Sequence, residues 1–508
     1  MGLCALLLLT SPFAGAAGMS CPDFYARLTG ALPAPLPASG KQTLSQVDRP
    51  PRTTLSYFLA RPGSHYTLGQ LLEESRIPLE LRKFYDAKGR FHYHPEHPVR
   101  LSSENGDQKV SVFKIHYDPS SKSEDAELHD LLLRDYAGVL ERMPDTKLWV
   151  VTRPAHLQRL EELLATLPPE TRARIRPSSL ESESVQNRYL GLWAQDSSKP
   201  VDSPDGTPHV LVPWSQRFLG PTSPDDTLEL QFALAAHGQT NVHSPLLYSG
   251  GNVIVGERHV LVGPDVVRNT ADRLRIPPSD ALDALSAEFG KPVIEIFHRS
   301  APEAYSRAFR RPFAPHIDLQ LALARDHSSG KETALVQSPA ALVTALLGGR
   351  KAEELPAEWP RFVDALVRGA HPDPARALNA SEEALIAALG AMRREDLLAQ
   401  QDQAQELARS LAAKGYAVRT VPGIAPMKYE SENAGTKWQL FNYTNSIFSG
   451  DRAVIPDLGI PALDRAFRDE LGRMGYQPVP VTSPRRSYRF WGGIRCMTET
   501  HREPPSNP

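Results

Sequence analysis

Residues 453–481 read AVIPDLGIPALDRAFRDELGRMGYQPVPV, and this stretch decides the fold class. Ala453-Val454-Ile455-Pro456 is a short apolar run that fits a strand, Leu463 to Met474 fits a helix, and Val479-Pro480-Val481 fits a second strand. Strand, helix, strand in that order is an α/β unit. The same texture extends back to Lys147. Leu148-Trp149-Val150-Val151 predicts a strand, and a helix opens at Pro154 with Leu157, Leu160, Leu163 and Leu164 on one face. His209-Val210-Leu211-Val212 predicts another strand. The runs Asn252 to Val255 and His259 to Gly263 predict a hairpin across Gly256-Glu257-Arg258. Ala334-Leu335-Val336-Gln337, a helical tract over 381–414 and Tyr416-Ala417-Val418 continue the series. The expectation is a cyclic or layered α/β fold.

Upstream of 145 the pattern weakens. A strand is predicted at Lys109 to His116 and a helix from about Ser123, while Pro33, Pro35, Pro37, Pro50 and Pro51 mark an extended lead-in. We therefore expect three parts: a signal peptide over 1–18, an N-terminal extension of unknown role over 19–144, and a catalytic domain over 145–503. Leu3 to Leu9 form the apolar run of the signal peptide and Ala14 to Gly18 its small-residue cleavage zone, although no positive charge precedes them. Export to a secreted or periplasmic location is expected, with a cytoplasmic one as the alternative. No other stretch approaches the roughly 20 apolar residues of a membrane-spanning helix.

Composition narrows the function. The 508 residues are 41% hydrophobic and 23% charged, as in an ordinary globular protein. Lys plus Arg (57) nearly balance Asp plus Glu (59), so no global field draws the chain to nucleic acid or an acidic membrane. Three cysteines, Cys4, Cys21 and Cys496, are too few for a disulfide framework or a multi-cysteine zinc site.

Four motifs place small and polar residues where strands should end: Trp193-Ala194-Gln195-Asp196, Ser249-Gly250-Gly251-Asn252, His316-Ile317-Asp318, and Gly492-Gly493-Ile494-Arg495-Cys496-Met497-Thr498. Cys496 follows two glycines, which allow close backbone approach, and precedes polar residues. A thiol needs a neighbour that favours the thiolate before it can attack, so Cys496 alone reads as a structural residue before a catalytic one. On a strand, His316 and Asp318 would face one pocket while Ile317 turns to the core. Asp196 alone reads as a turn or cap residue. Two carboxylates beside a thiol would be held together by a cation, and a guanidinium matches a carboxylate with its planar fork of N–H groups. Gly250, Gly251 and Asn252 shape a pocket floor or form a tight turn before the hairpin. Asn445 and Ser446 line the site or belong to a polar loop. Arg495 either lowers the thiol pKa or pairs outward.

Together with Tyr443-Thr444-Asn445-Ser446, these motifs in this order resemble those of the guanidine-modifying (pentein) superfamily, in its peptidyl-arginine deiminase and agmatine deiminase branch. The resemblance covers about residues 145–503. It implies a five-bladed α/β propeller with the site on its axis. It also implies Cys496 as nucleophile, His316 as general acid/base, Asp196 and Asp318 as the carboxylates that hold the guanidinium, and Trp193, Gly251 and Asn252 as further substrate contacts. No metal or cofactor is expected. The segment over about 340–414 departs from the pattern as a helical insert.

The expectation is a secreted deiminase that converts arginine in peptides or proteins to citrulline and ammonia. Alternatives are an agmatine deiminase or amidinotransferase acting on a small guanidino compound, a propeller that binds arginine without turning it over, and a generic cysteine hydrolase.

Overall fold

A computed structural model describes residues 91–95, 97–119, 126–181, 190–203, 209–213, 234–235, 237–274, 276–296, 316–347, 367–368, 376–392, 394–425, 441–488 and 492–503. The expected signal peptide, the proline-rich lead-in, Cys4 and Cys21 lie outside them.

The strands run in chain order as β1 (Asn105–Gly106), β2 (Val110–Tyr117), β3 (Lys147–Thr152), β4 (Ile175–Ser179), β5 (Lys199–Pro200), β6 (His209–Val212), β7 (Thr240–His243), β8 (Val253–Val255) and β9 (Val260–Val262). They continue as β10 (Val293–Glu295), β11 (Leu321–Asp326), β12 (Lys331–Ser338), β13 (Ala417–Ile424), β14 (Phe441–Asn442), β15 (Ile447–Ser449), β16 (Arg452–Pro456), β17 (Gln477–Val481) and β18 (Glu499–Arg502). They form five sheets: β18-β2-β3-β4, β5-β6-β7, β8-β9-β10, β11-β12-β13-β14 and β1-β15-β16-β17.

Each sheet repeats one module. An antiparallel pair is followed by a parallel one: β18/β2 then β2/β3, β5/β6 then β6/β7, β8/β9 then β9/β10, β11/β12 then β12/β13, and β15/β16 then β16/β17. Parallel neighbours need a crossover, and helices supply it where the chain is described. Ala126–Arg142 joins β2 to β3, and Pro461–Arg473 joins β16 to β17.

The sequence that decided the fold class shows why. Ala453, Val454 and Ile455 are all buried, so β16 is covered on both faces, as its unbroken apolar run requires. Pro461 starts the crossover helix, where its missing N–H costs nothing. Leu463, Phe467 and Leu471 recur every four residues on its buried side, and each contributes roughly 1.5–3 kcal/mol by leaving water. Gly475 ends the turn at φ 86°, which a residue with a Cβ rarely adopts.

Three expectations change. The boundary placed at 145 falls inside a sheet, because β2 lies between β18 and β3, so the folded body includes residues upstream of 145. The 381–414 tract is two helices, Ala380–Ala391 and Arg394–Ala413, and the first ends where Met392 becomes extended (ψ 134°). His316-Ile317-Asp318 is no strand: His316 is extended and Ile317–Leu319 is a 3-10 turn. Among the described residues no helix is long and apolar enough to cross a membrane.

Candidate active site

Three short turns and one loop converge between the sheets. The first turn, Ala194–Ser197, places Asp196; the second, Gly250–Asn252, precedes β8; the third, Ile317–Leu319, places Asp318. The loop 492–498 carries Cys496 into β18, with Met497 N–H donating to the Gly493 carbonyl (3.1 Å) and Thr498 N–H to the Arg495 carbonyl (3.1 Å).

Side-chain amides build these turns where a regular ladder is absent. Asn252 Oδ1 accepts from Ile317 N–H (3.0 Å), while its Nδ2 donates to Asp265 Oδ2 (2.7 Å). Thr444 Oγ1 donates to the Asp318 carbonyl (3.1 Å). Both bonds hold the third turn and explain why His316 and Asp318 meet the thiol without strand geometry.

His316, Asp318 and Cys496 each offer one ligand-type atom within 4.8 Å of the other two. The thiol donates to Asp318 Oδ2 at 3.3 Å and accepts from Asn445 Nδ2 at 3.1 Å. Asp196 lies beside the imidazole. Its Oδ1 accepts from Ser249 Oγ (2.9 Å) and Gly251 N–H (3.0 Å) and is 3.6 Å from His316 Nδ1. His316 Nε2 lies 3.1 Å from Ser249 Oγ. The Ser249 hydroxyl hydrogen is committed to Asp196, so its oxygen accepts from Nε2–H, and a hydrogen-bonded path links imidazole to carboxylate.

Among the described residues, those three side chains are the one group close enough to hold a metal ion. Asp318 Oδ2 already accepts from Arg495 Nη1 at 2.6 Å, so an ion there would face a buried cation.

The thiol is 1% exposed, and its pKa lies well above the ordinary value. Burial is the largest cause, and the negative carboxylates of Asp318 and Asp196 add to it. Arg495 and a backbone bond to Gly493 oppose the rise. Burial first, and the two carboxylates after it, thus favour the neutral thiol over the thiolate.

Trp193, Gly251 and Asn252 were expected to touch substrate. The Trp193 ring packs on Gly492, where an added Cβ would lie 2.1 Å from it. A Cβ on Gly251 would lie 2.2 Å from His316 Nδ1, so glycine is what admits the imidazole. Asn252 spends its amide on Ile317 and Asp265, as described above.

Other residues at the site were weakly signalled in sequence. Asn445 is fully buried; its Oδ1 accepts from the N–H groups of Arg495 (2.8 Å) and Cys496 (3.3 Å). Its place in a polar tetrapeptide was a signal equally compatible with a loop. Gln195, turned so that its nitrogen faces Asp318 Oδ2 (3.2 Å), presents its oxygen to the Arg495 guanidinium (3.1 Å). Glu104 reaches Arg495 from the segment assigned to the extension.

No family model and no curated protein sequence matches the chain. Solved structures match its fold. An agmatine deiminase from C. jejuni aligns over 81% of this chain and 98% of its own at 11% identity, with a TM-score of 0.52. The substrate-bound cysteine-to-serine form of that enzyme aligns over 80% and 97% at 10% identity, with a TM-score of 0.51. The chain therefore shares the α/β fold of these agmatine deiminases, which are members of the guanidine-modifying, or pentein, superfamily.

Proposed function

We propose that this chain is a guanidine deiminase that hydrolyses a guanidinium to a ureido group and ammonia through Cys496. The observation that carries the reading is the meeting of thiol, imidazole and carboxylate within 4.8 Å, drawn from positions 180 residues apart in the sequence. The five repeated sheets support a five-bladed arrangement around this point.

A guanidinium held by Asp196 and Asp318 brings one positive charge beside a thiol that two negative charges keep protonated. The bound cation offsets them and favours the thiolate. Sulfur then attacks the central guanidinium carbon and forms a C–S bond. His316 donates a proton to the departing nitrogen, ammonia leaves as the C–N bond breaks, and a thiouronium remains. Water replaces the ammonia and adds to the thiouronium carbon as His316 takes one of its protons; the C–S bond then breaks to return the thiolate, and the remaining hydroxyl proton passes to solvent to leave a neutral ureido product. The product has lost the charge that the carboxylates bind, which favours release.

The leading substrate is arginine in a peptide or protein, and the expected export of the chain supports it. Agmatine is the second reading, favoured by the fold shared with agmatine deiminases. Ammonia release from benzoyl-arginine esters, arginine peptides and agmatine, measured side by side, separates the two. Cys496→Ser should abolish turnover on all of them, and retained turnover would exclude catalysis through this thiol.

A further inference from the structure

A buried ion pair lies behind the thiol. The Arg495 guanidinium bridges two carboxylates, donating from Nη1 to Asp318 Oδ2 (2.6 Å) and from Nη2 to Glu104 Oε2 (2.6 Å). Nη2 also donates to the Val253 carbonyl (3.2 Å). Glu104 accepts in addition from Lys199 Nζ (2.9 Å) and Val255 N–H (3.0 Å). Oδ2 of Asp318 is the oxygen to which the thiol donates, so sulfur and guanidinium share one acceptor. The other oxygen, Asp318 Oδ1, is buried and makes no hydrogen bond.

Arginine stays charged when buried, and its fork is rigid. A buried guanidinium is therefore located by whatever anions flank it. With Asp318 alone, Arg495 would close onto that carboxylate and place its full charge beside the thiol. Glu104 pulls from the opposite side, fixes the angle of the fork and offsets part of its charge. Oδ1 is thereby left for a bound cation.

We propose that Glu104 is a positioning residue: acting through Arg495, it orients the Asp318 carboxylate between thiol and substrate and sets how much positive charge reaches Cys496. The role of Oδ1 toward substrate rests on the deiminase reading; the effect on the thiol does not. The charged and titratable groups facing the thiol are Asp318, Asp196, His316, Tyr488 and Arg495. Those acting on Glu104 are Arg495 and Lys199, with Lys291 and Arg502 as further cations.

The test follows alkylation of Cys496 by iodoacetamide against pH, with Cys4 and Cys21 replaced by serine and the adduct located by mass spectrometry. Ammonia release from agmatine and benzoyl-arginine ester is measured on the same proteins. Glu104→Gln should lower the alkylation midpoint by about half a unit or more, and Arg495→Gln should raise it by about one unit. Arg495→Lys keeps the charge and should restore the midpoint toward wild type while kcat stays reduced. The double variant Glu104→Gln/Arg495→Gln removes both charges together, which protects against a single variant that does not fold, and should follow Arg495→Gln. Midpoints in folded Glu104→Gln and in the double variant that coincide with wild type overturn the proposal. Unshifted midpoints with ammonia release would leave the deiminase reading standing and remove the ion-pair role. Shifted midpoints without ammonia from any guanidine would do the reverse.

Discussion

Asn445 and Cys496 are joined by a reciprocal pair of contacts: the amide nitrogen donates to Sγ at 3.1 Å, and the amide oxygen accepts from the Cys496 N–H at 3.3 Å. One planar group thus holds both the sulfur and the backbone that carries it. Asn445→Ala removes it and strands two buried N–H groups, at a cost of about 1–3 kcal/mol. It should lower the melting temperature and reduce ammonia release by about tenfold or more, because the sulfur loses its position. Thermal melts and steady-state assays on one preparation check both.

Gly251→Ala should separate folding from activity. The added methyl would overlap the His316 ring at 2.2 Å from Nδ1 and 2.6 Å from Cγ, and the ring is the group that can move. Displacing it by about 1 Å predicts a loss of roughly 10²-fold in kcat with a native far-UV spectrum. Activity within twofold of wild type would show that the imbidazole position does not limit turnover.

The raised thiol pKa predicts selective labelling. A neutral reagent leaves the carboxylate charges that disfavour the thiolate uncompensated, whereas a planar cation offsets Asp318 and Asp196 as it arrives. The cationic 2-chloroacetamidine should alkylate Cys496 at least about tenfold faster than neutral 2-chloroacetamide at pH 7. Equal rates would remove the electrostatic part of the proposed mechanism.

Acid should weaken the sheet that holds β18. His116 on β2 is fully buried; burial, with nearby Lys114, pushes its pKa down from 6.5 to about 4. The unfolded chain then binds more protons than the folded one between these values, so stability falls as pH drops through that window. Glu104, pulled down to about 2 by Arg495 and Lys199 against the opposing effect of burial, adds its own loss between about 4.5 and 2. Melting temperatures should decline below pH 6.5, and His116→Gln should flatten the upper part of that decline.

Much of the fold was legible because burial writes itself locally. Val253 to Val255 and Val260 to Val262 are short apolar runs around a turn, and they form the antiparallel pair expected of them. Cys496, His316, Asp196 and Asp318 were legible as an ordered set of motifs, and the structure brings them together. What stayed hidden depends on distant partners. Nothing near His316 announces a 3-10 turn, since the amide that holds it belongs to Asn252, 65 residues away. Glu104 carries no local signature, because its guanidinium partner is 391 residues downstream. β2 looked separable from β3 because the 17-residue helix Ala126–Arg142 stands between them in sequence.

β18 begins three residues after Cys496 and pairs antiparallel with β2, the first strand of its sheet. Glu499 on β18 meets Lys114 on β2 through a 2.6 Å ion pair with both side chains fully enclosed. During synthesis the sulfur therefore emerges after every group it will face. The pairing of β18 with β2 is thus also what anchors the loop that seats the sulfur.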